Sequence, residues 1–211
     1  MKRAYVQELF DEKGQQTLES KEFKAWFAQN QDWLVPYAKW LDSSVGLIYF
    51  TQYHLHLQLK AAADYARSKG IFLKGDVPIG VNGDSVETAI HPDYFHLDAQ
   101  TGAPPDMFSP NGQNWGFPTY NWGTGVVEWF RRRLKWMEQY FDAIRIDHIL
   151  GFFRIWEIPG DAVFGLLGHF SPSLPMTVGE IEYFGLPFRK ELFTKPFVND
   201  RVLDKLFGMH A

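Results

Sequence analysis

Two short apolar segments, each following a predicted helix and each closed by aspartate, constrain the fold of this chain most strongly. The first is Ile71-Phe72-Leu73-Lys74-Gly75-Asp76, which begins directly after a helical pattern that ends at Gly70. The second is Ala143-Ile144-Arg145-Ile146-Asp147, which follows a helical pattern over residues 126–140. Helices that alternate with strands predict parallel strands joined by crossovers. The sequence therefore predicts an α/β fold, a parallel sheet or barrel, with strands ending at Asp76 and Asp147.

The second segment carries an arginine and an aspartate on one face. Side chains alternate along a strand, so Arg145 and Asp147 point one way and Ile144 and Ile146 the other. Their Cα atoms lie about 7 Å apart, and a guanidinium at that distance favours the ionised carboxylate. Such a carboxylate in a dry cleft acts as a nucleophile or stabilises a cation. A structural ion pair at a strand end explains the same residues equally well.

Bulk properties limit the class of protein. With 211 residues the chain supports a sizeable core, yet it is short for an eight-fold α/β barrel of about 250 residues. A net charge of −4 gives no basic face for nucleic acid, and no apolar run is long enough for a signal peptide or a membrane span. We therefore expect no nucleic-acid partner, no membrane association and a cytoplasmic location.

Residues 77–125 separate the two strands and are dense in Gly, Pro, Asn and Asp. Unstructured segments of that length in compact domains are usually functional. Several tryptophans lie here beside glycines and amides, a combination that suits sugar rings, because their C–H faces stack on aromatics and their hydroxyls need hydrogen-bond partners. The sequence thus favours a long substrate-binding loop over residues 77–125.

The two aspartates also suit glycoside chemistry. Catalytic residues of α/β barrels gather at the carboxyl ends of the strands, and retaining enzymes place a nucleophile about 5–5.5 Å from an acid/base. For Asp76 a cap or an ion pair is the stronger interpretation. The clusters His54-x-His56 and His91-x-Asp93-x-x-His96 match no ligand framework, so we expect neither a metal nor a cofactor.

Three blocks carry a resemblance to a known family. The block Gly102-Ala103-Pro104-Pro105-Asp106-Met107-Phe108 … Gly112-Gln113-Asn114-Trp115-Gly116-Phe117-Pro118-Thr119-Tyr120-Asn121-Trp122 resembles a block of the 4-α-glucanotransferases, the amylomaltase or disproportionating-enzyme family. Residues 75–79 with Asp84-Ser85 are similar to an earlier motif of that family, and Arg145-Ile146-Asp147-His148 matches its nucleophile strand. The amino-acid sequence of this loop resembles that of the branch typified by the plant cytosolic disproportionating enzyme.

The resemblance implies a (β/α)₈ barrel that transfers α-1,4-glucosyl units by a retaining double displacement. Asp147 would be the nucleophile and Arg145 would keep it ionised. Substrate contacts are implied for six further residues: Asp76, His148, Trp115, Tyr120, Asp106 and Gln113. For Asp106 and Gln113 turn-capping is an equal alternative. The implied partners are maltose, maltooligosaccharides, glycogen or another α-glucan.

One departure from the family concerns the acid/base glutamate. Its Ala-Glu-Asp-Leu-Gly block is missing, and Glu180 is interpreted as a surface or helix-start residue. We therefore expect residues 1–211 to be part of one catalytic barrel domain, inactive without the rest of its parent polypeptide. Residues 1–19 would be a loose lead-in and residues 160–211 an insertion-like tail. The alternative is a non-catalytic glucan-binding or scaffold fragment.

Overall fold

A computed structural model describes residues 2–41, 43–195 and 199–208. The chain divides into two units, residues 1–172 and 173–211. The helices are α1 (Lys2–Glu19), α2 (Lys21–Trp40), α3 (Val45–Ser68), α4 (Val86–Ile90), α5 (Val126–Met137), α6 (Val178–Tyr183), α7 (Lys190–Thr194) and α8 (Asp200–Phe207). The strands are β1 (Lys74–Val77), β2 (Phe95–His96), β3 (Ala99–Ala103), β4 (Gln113–Asn114), β5 (Thr119–Tyr120), β6 (Ala143–Ile146), β7 (Ile155–Pro159) and β8 (His169–Ser171).

The amino-terminal residues are helical, so the expected loose lead-in over residues 1–19 is wrong. Helix α1 packs against α3, where the Phe10 and Phe50 rings meet edge to face at 5.6 Å. Leu18 packs on the core cluster that α2 and α3 build around Trp26 and Leu34. These apolar contacts dock the helix, because they remove apolar surface from water.

Strands β1 and β6 pair in parallel, as the helix–strand alternation predicts. Lys74 is the register partner of Ala143, and Val77 that of Ile146. The strand ends differ by one residue from the prediction, since β1 continues past Asp76 and β6 stops before Asp147. Within the described residues this sheet has two strands, and its inner side packs on the cluster formed by Val77, Phe95, Val126, Trp129 and Phe130.

The long segment between β1 and α5 is structured rather than a plain loop. It contains α4 and four short strands, of which β2 and β5 pair antiparallel. The other two join the later strands in an antiparallel sheet of order β4-β3-β7-β8. Strand β3 is Ala-Gln-Thr-Gly-Ala and lacks the β-branched alternation that identifies a strand, so its partners define it.

Residues 160–211 do not behave as one tail. Residues 160–172 stay with the first unit, where β8 pairs with β7. The second unit carries α6, α7 and α8. Glu180 lies in the first turn of α6 and is exposed; its carboxylate accepts from the Thr177 backbone N–H at 2.7 Å, and this bond, with that from the Thr177 hydroxyl, lowers its pKa. The helix-start interpretation of Glu180 is confirmed.

Large apolar side chains are exposed at many places among the described residues. Phe72 beside β1 is 83% exposed, and Phe153 is 72% exposed. In the part of the chain that the structure describes, no helix is both long enough and apolar enough to cross a lipid bilayer.

Candidate active site

The register of β1 and β6 brings three charged side chains together. Asp76 and Arg145 are direct partners across the parallel pair, and Asp147 follows Arg145 by two residues on the same face. Arg145 donates from Nη1 to Asp76 Oδ2 at 2.5 Å and from Nη2 to Asp147 Oδ1 at 2.6 Å. One guanidinium therefore connects both carboxylates and fixes their relative position.

These charges are not buried, contrary to the dry cleft expected from the sequence. The side chains are 57% exposed for Asp76, 51% for Arg145 and 50% for Asp147. The cause lies in the sheet, since β1 and β6 have no further strand beside them among the described residues. Without a covering element the ion pairs stay in water, where they contribute little to stability.

Asp147 lies at the wall of an open cleft of about 670 Å³. Its lining consists of Pro78, Ile79, Gly80, Val81, Asn82, Trp115, Gly116, Phe117, Asp147 and His148. A cleft of that volume is large enough to bind a small-molecule ligand. Among these lining residues Asp147 is the one that carries a carboxyl group. The structure thus brings the predicted residues Asp147, His148 and Trp115 to one cavity.

His148 has a left-handed backbone, with φ 48° and ψ 54°. It is the one residue other than glycine with positive φ in the described ranges. This conformation costs a non-glycine residue about 1–3 kcal/mol and is concentrated at functional sites. It turns the imidazole towards Trp115, and the two rings meet edge to face at 4.9 Å.

Trp115 is held on two sides. Its backbone N–H donates to the Thr101 carbonyl at 2.9 Å, and its indole Nε1 donates to Gln113 Oε1 at 3.0 Å. Phe117 stacks beside it with ring centroids 5.9 Å apart. Gln113 therefore orients the tryptophan, and it does not line the cleft itself.

Tyr120, expected to contact sugar, lies in the core instead. Its side chain is 8% exposed and packs with Phe95, Trp129 and Phe130. Burial raises the pKa of Tyr120 to about 12, an effect that the nearby Arg133 guanidinium partly opposes. In the described part of the chain its hydroxyl has no partner within hydrogen-bonding geometry. Because β5 pairs with β2, the Tyr120 ring lies in the hydrophobic core.

Asp106 and Asn114 shape turns. Asp106 Oδ1 accepts from the backbone N–H groups of Phe108 and Ser109 at 2.9 and 2.7 Å. Asn114 Oδ1 accepts from the Gly116 N–H at 2.9 Å. The turn-capping alternative is the one that the geometry supports for Asp106, which does not line the cleft.

The remaining wall of the cleft comes from the predicted substrate-binding loop over residues 77–125, at positions that the sequence did not single out. Residues 78–82 and Phe117 line it. A signal for this wall is the family motif at residues 75–79, which includes the loop residues Pro78 and Ile79. No group of three or more His, Asp or Glu residues suited to a metal occurs within the described ranges.

Comparison with known proteins identifies the family of this chain. The family described as 4-alpha-glucanotransferase matches residues 39–195. The chain is 40% identical to the 4-alpha-glucanotransferase DPE2 of Oryza sativa subsp. japonica over 98% of its length and 26% of that protein. It is 42% identical to a 4-alpha-glucanotransferase of Thermus thermophilus, over 56% of this chain and 26% of that protein. The chain thus spans about a quarter of these relatives.

Comparison with solved structures supports the same family assignment. An amylomaltase from Streptococcus agalactiae in complex with acarbose superposes with a TM-score of 0.68 and 25% identity, over 92% of this chain and 49% of that one. An amylomaltase from Corynebacterium glutamicum superposes with a TM-score of 0.61 and 20% identity, over 87% and 30%, and supports the fold alone. The chain belongs to the 4-alpha-glucanotransferase family, glycoside hydrolase family 77.

Proposed function

We propose that this chain holds the nucleophile half of a 4-α-glucanotransferase site, on part of a (β/α)₈ barrel in which β1 and β6 are neighbouring strands. The observation that carries the proposal is the Arg145 guanidinium, which binds both Asp76 and Asp147, of which Asp147 lines the cleft and Asp76 does not. The family assignment and the parallel β1–β6 pair support it.

The chemistry is a retaining double displacement with Asp147 as nucleophile. A carboxylate oxygen of Asp147 bonds to the anomeric carbon of the donor while the glycosidic C–O bond breaks. The departing oxygen takes a proton from a carboxylic acid that is absent from this cleft. An acceptor hydroxyl then gives its proton to the same group, bonds to the anomeric carbon and releases Asp147. Two inversions at one carbon give net retention.

Arg145 has two roles in this scheme. It holds the Asp147 carboxylate in place for attack, and it fixes the orientation of the Asp76 carboxylate through a second hydrogen bond. The second oxygen of Asp76 is then the acceptor for a sugar hydroxyl. Trp115 offers a ring face, and His148 beside it contributes a hydrogen-bonding edge.

The acid/base lies outside the cleft of this chain in our proposal. Glu157 is mostly buried and accepts from Thr119 Oγ1 at 2.5 Å, and it does not line the cleft. Glu180 caps α6. We therefore assign the acid to the remainder of a longer polypeptide, which the coverage of about a quarter of the rice relative supports.

The substrates proposed are maltose, maltooligosaccharides and glycogen or another α-glucan, in the cytoplasm. The acarbose complex of the streptococcal relative supports an α-glucan-like ligand. The test is disproportionation of maltotriose, measured as glucose release, by the longer protein with and without Asp147→Asn. The variant should lose at least about 10³-fold in kcat/KM. Retained turnover would reject Asp147 as the nucleophile.

A second candidate is a glucan-binding module without catalysis, favoured by a cleft that contains Trp115 and His148 but one carboxylate. Calorimetry with maltoheptaose separates the two. Binding that Trp115→Ala abolishes, together with full resistance of maltotriose turnover to Asp147→Asn in the longer protein, would support the binding module and reject a catalytic role for this part of the protein.

A further inference from the structure

A ten-residue segment outside the cleft lies against the strand that leads to Trp115. This segment, residues 159–168, follows β7 and is called the 159–168 arc. The Leu166 N–H donates to the Asn111 carbonyl at 2.8 Å, and Asn114 Nδ2 donates to the Ala162 carbonyl at 3.0 Å. The arc therefore binds the chain on both sides of Gln113.

Gly165 packs closely against the backbone of β4. A Cβ atom at this position would lie 2.6 Å from Gln113 N, 2.8 Å from Gln113 O and 2.9 Å from the Ala103 carbonyl oxygen. All three neighbours are backbone atoms, so a larger residue would displace β4 or the arc. The close approach of the two backbones requires a residue without a side chain.

Trp156 on β7 fixes Gly165 in this position. Its indole Nε1 donates to the Gly165 carbonyl at 2.7 Å, and the same carbonyl accepts from the Gly168 N–H at 3.0 Å. The Trp156 ring packs edge to face on Phe170 of β8 at 5.1 Å. The half-buried Trp156 indole thus adds a bond from β7 to the bond that Asn114 of β4 donates to the arc.

The connection continues to the cleft through a single side chain. Gln113 Oε1 accepts the indole N–H of Trp115, so a shift of the Gln113 backbone moves the acceptor that orients the Trp115 ring. Neither Trp156 nor Gly165 lines the cleft. Hydrogen bonds connect these two residues to the Trp115 ring through Gln113, and a second connection runs from the arc through Asn114 to the cleft-lining Gly116.

We propose that Trp156 and Gly165 are positioning residues, which hold the Trp115 ring at the cleft wall through β4 and thereby set the affinity of the cleft for an α-glucan. The part that concerns affinity rests on the proposed function of the site. The part that concerns the Trp115 ring stands on the hydrogen bonds and the backbone packing alone.

The test uses the full chain with Trp156→Phe and Gly165→Ala. Trp156→Phe keeps an aromatic ring and removes the donor to Gly165. The matched control is Gly83→Ala, because a Cβ there meets its nearest atom at an ordinary 3.8 Å. The first readout is the indole N–H resonance of Trp115 in ¹⁵N-tryptophan-labelled protein, assigned with Trp115→Phe. The second is calorimetry with maltoheptaose.

Both variants should shift the Trp115 indole resonance and speed its exchange with solvent, whereas Gly83→Ala should leave it unchanged. Trp156→Phe should weaken maltoheptaose binding about five-fold, and Gly165→Ala more than about ten-fold. If Gly165→Ala does not fold, the result for Trp156→Phe alone decides the test. An unmoved resonance in folded Trp156→Phe overturns the positioning role. A moved resonance with unchanged affinity overturns the claim on affinity. A wild-type chain that binds no glucan counts against the proposed function, and the resonance still tests the positioning.

Discussion

Asp76 and Arg145 face each other as register partners on parallel strands, and the guanidinium of Arg145 reaches past this partner to Asp147 two residues along its own strand. A planar, forked donor suits this arrangement, because two separate carboxylates are bound by two different nitrogen atoms. A lysine ammonium is a single point charge and cannot reproduce the same geometry.

Replacement of Arg145 by lysine should therefore separate stability from activity. The pairs are half exposed and each contributes at most about 1 kcal/mol, so the free energy of unfolding of Arg145→Lys should change by less than that. Transfer from maltotriose by the longer protein should fall about 10²-fold, because Asp147 loses its fixed position. Arg131→Lys, which alters an exposed ion pair within α5, is the control for both assays. Unchanged turnover in Arg145→Lys would contradict the role of the guanidinium.

The left-handed backbone of His148 gives a pair of opposed predictions. In His148→Gly the strain of about 1–3 kcal/mol disappears, so urea unfolding should show unchanged or higher stability. His148→Ala keeps the strain and loses the ring contact with Trp115, so it should be the less stable of the two. Both should weaken maltoheptaose binding. A glycine variant less stable than the alanine variant would show that the backbone is not strained.

The buried position of Tyr120 predicts that its hydroxyl is dispensable. Tyr120→Phe removes a buried hydroxyl that lies beside the Arg133 guanidinium but makes no hydrogen bond of good geometry among the described residues, so the free energy of unfolding should change little. Maltoheptaose affinity should stay within two-fold of wild type, which corresponds to a change of at most about 0.4 kcal/mol in the binding free energy. Trp115→Phe in the same calorimetric assay should weaken binding. A large loss in Tyr120→Phe would restore this residue to the sugar site.

Asp142 gives a prediction on pH. The Leu73 backbone N–H, at 3.0 Å, and then the Arg67 guanidinium, at 2.7 Å, hold the pKa of this carboxyl below its usual range. A group with a lowered folded-state pKa stabilises the fold above its unfolded pKa, and this contribution is lost as the pH falls through the folded pKa. The stability difference between wild type and Asp142→Asn should therefore be largest near neutral pH and shrink below about pH 4. A difference that grows in acid would contradict the assignment.

The sequence predicts what depends on neighbours along the chain. The helix-strand alternation gives the parallel pair, and strand periodicity gives the shared face of Arg145 and Asp147, because both patterns are local. Helix α2 starts after Ser20, a residue type that favours the N-cap position, and the Ser20 Oγ accepts from the Phe23 N–H at 3.1 Å. These features need no knowledge of distant residues.

Other features depend on contacts between distant residues. Strand β3 exists because β7 pairs with it through partners such as Thr101 and Glu157, and its own composition does not favour a strand. Exposure of Asp147 depends on which elements cover the sheet, and periodicity does not contain that information. The motif around Trp115 likewise predicted that aromatic side chains contact the substrate. It did not distinguish Trp115, which lines the cleft, from Tyr120, which lies in the core.

The most direct test of the central claim uses a donor that needs no acid. Fluoride leaves without protonation, so α-maltotriosyl fluoride requires a nucleophile alone: the Asp147 oxygen bonds to the anomeric carbon, the C–F bond breaks and fluoride departs. Intact-mass spectrometry of the chain after this reaction should show one added maltotriosyl group, peptide mapping should place it on Asp147, and Asp147→Asn should gain none. An unmodified wild-type chain that binds the sugar, or an adduct on another residue, would contradict Asp147 as the nucleophile.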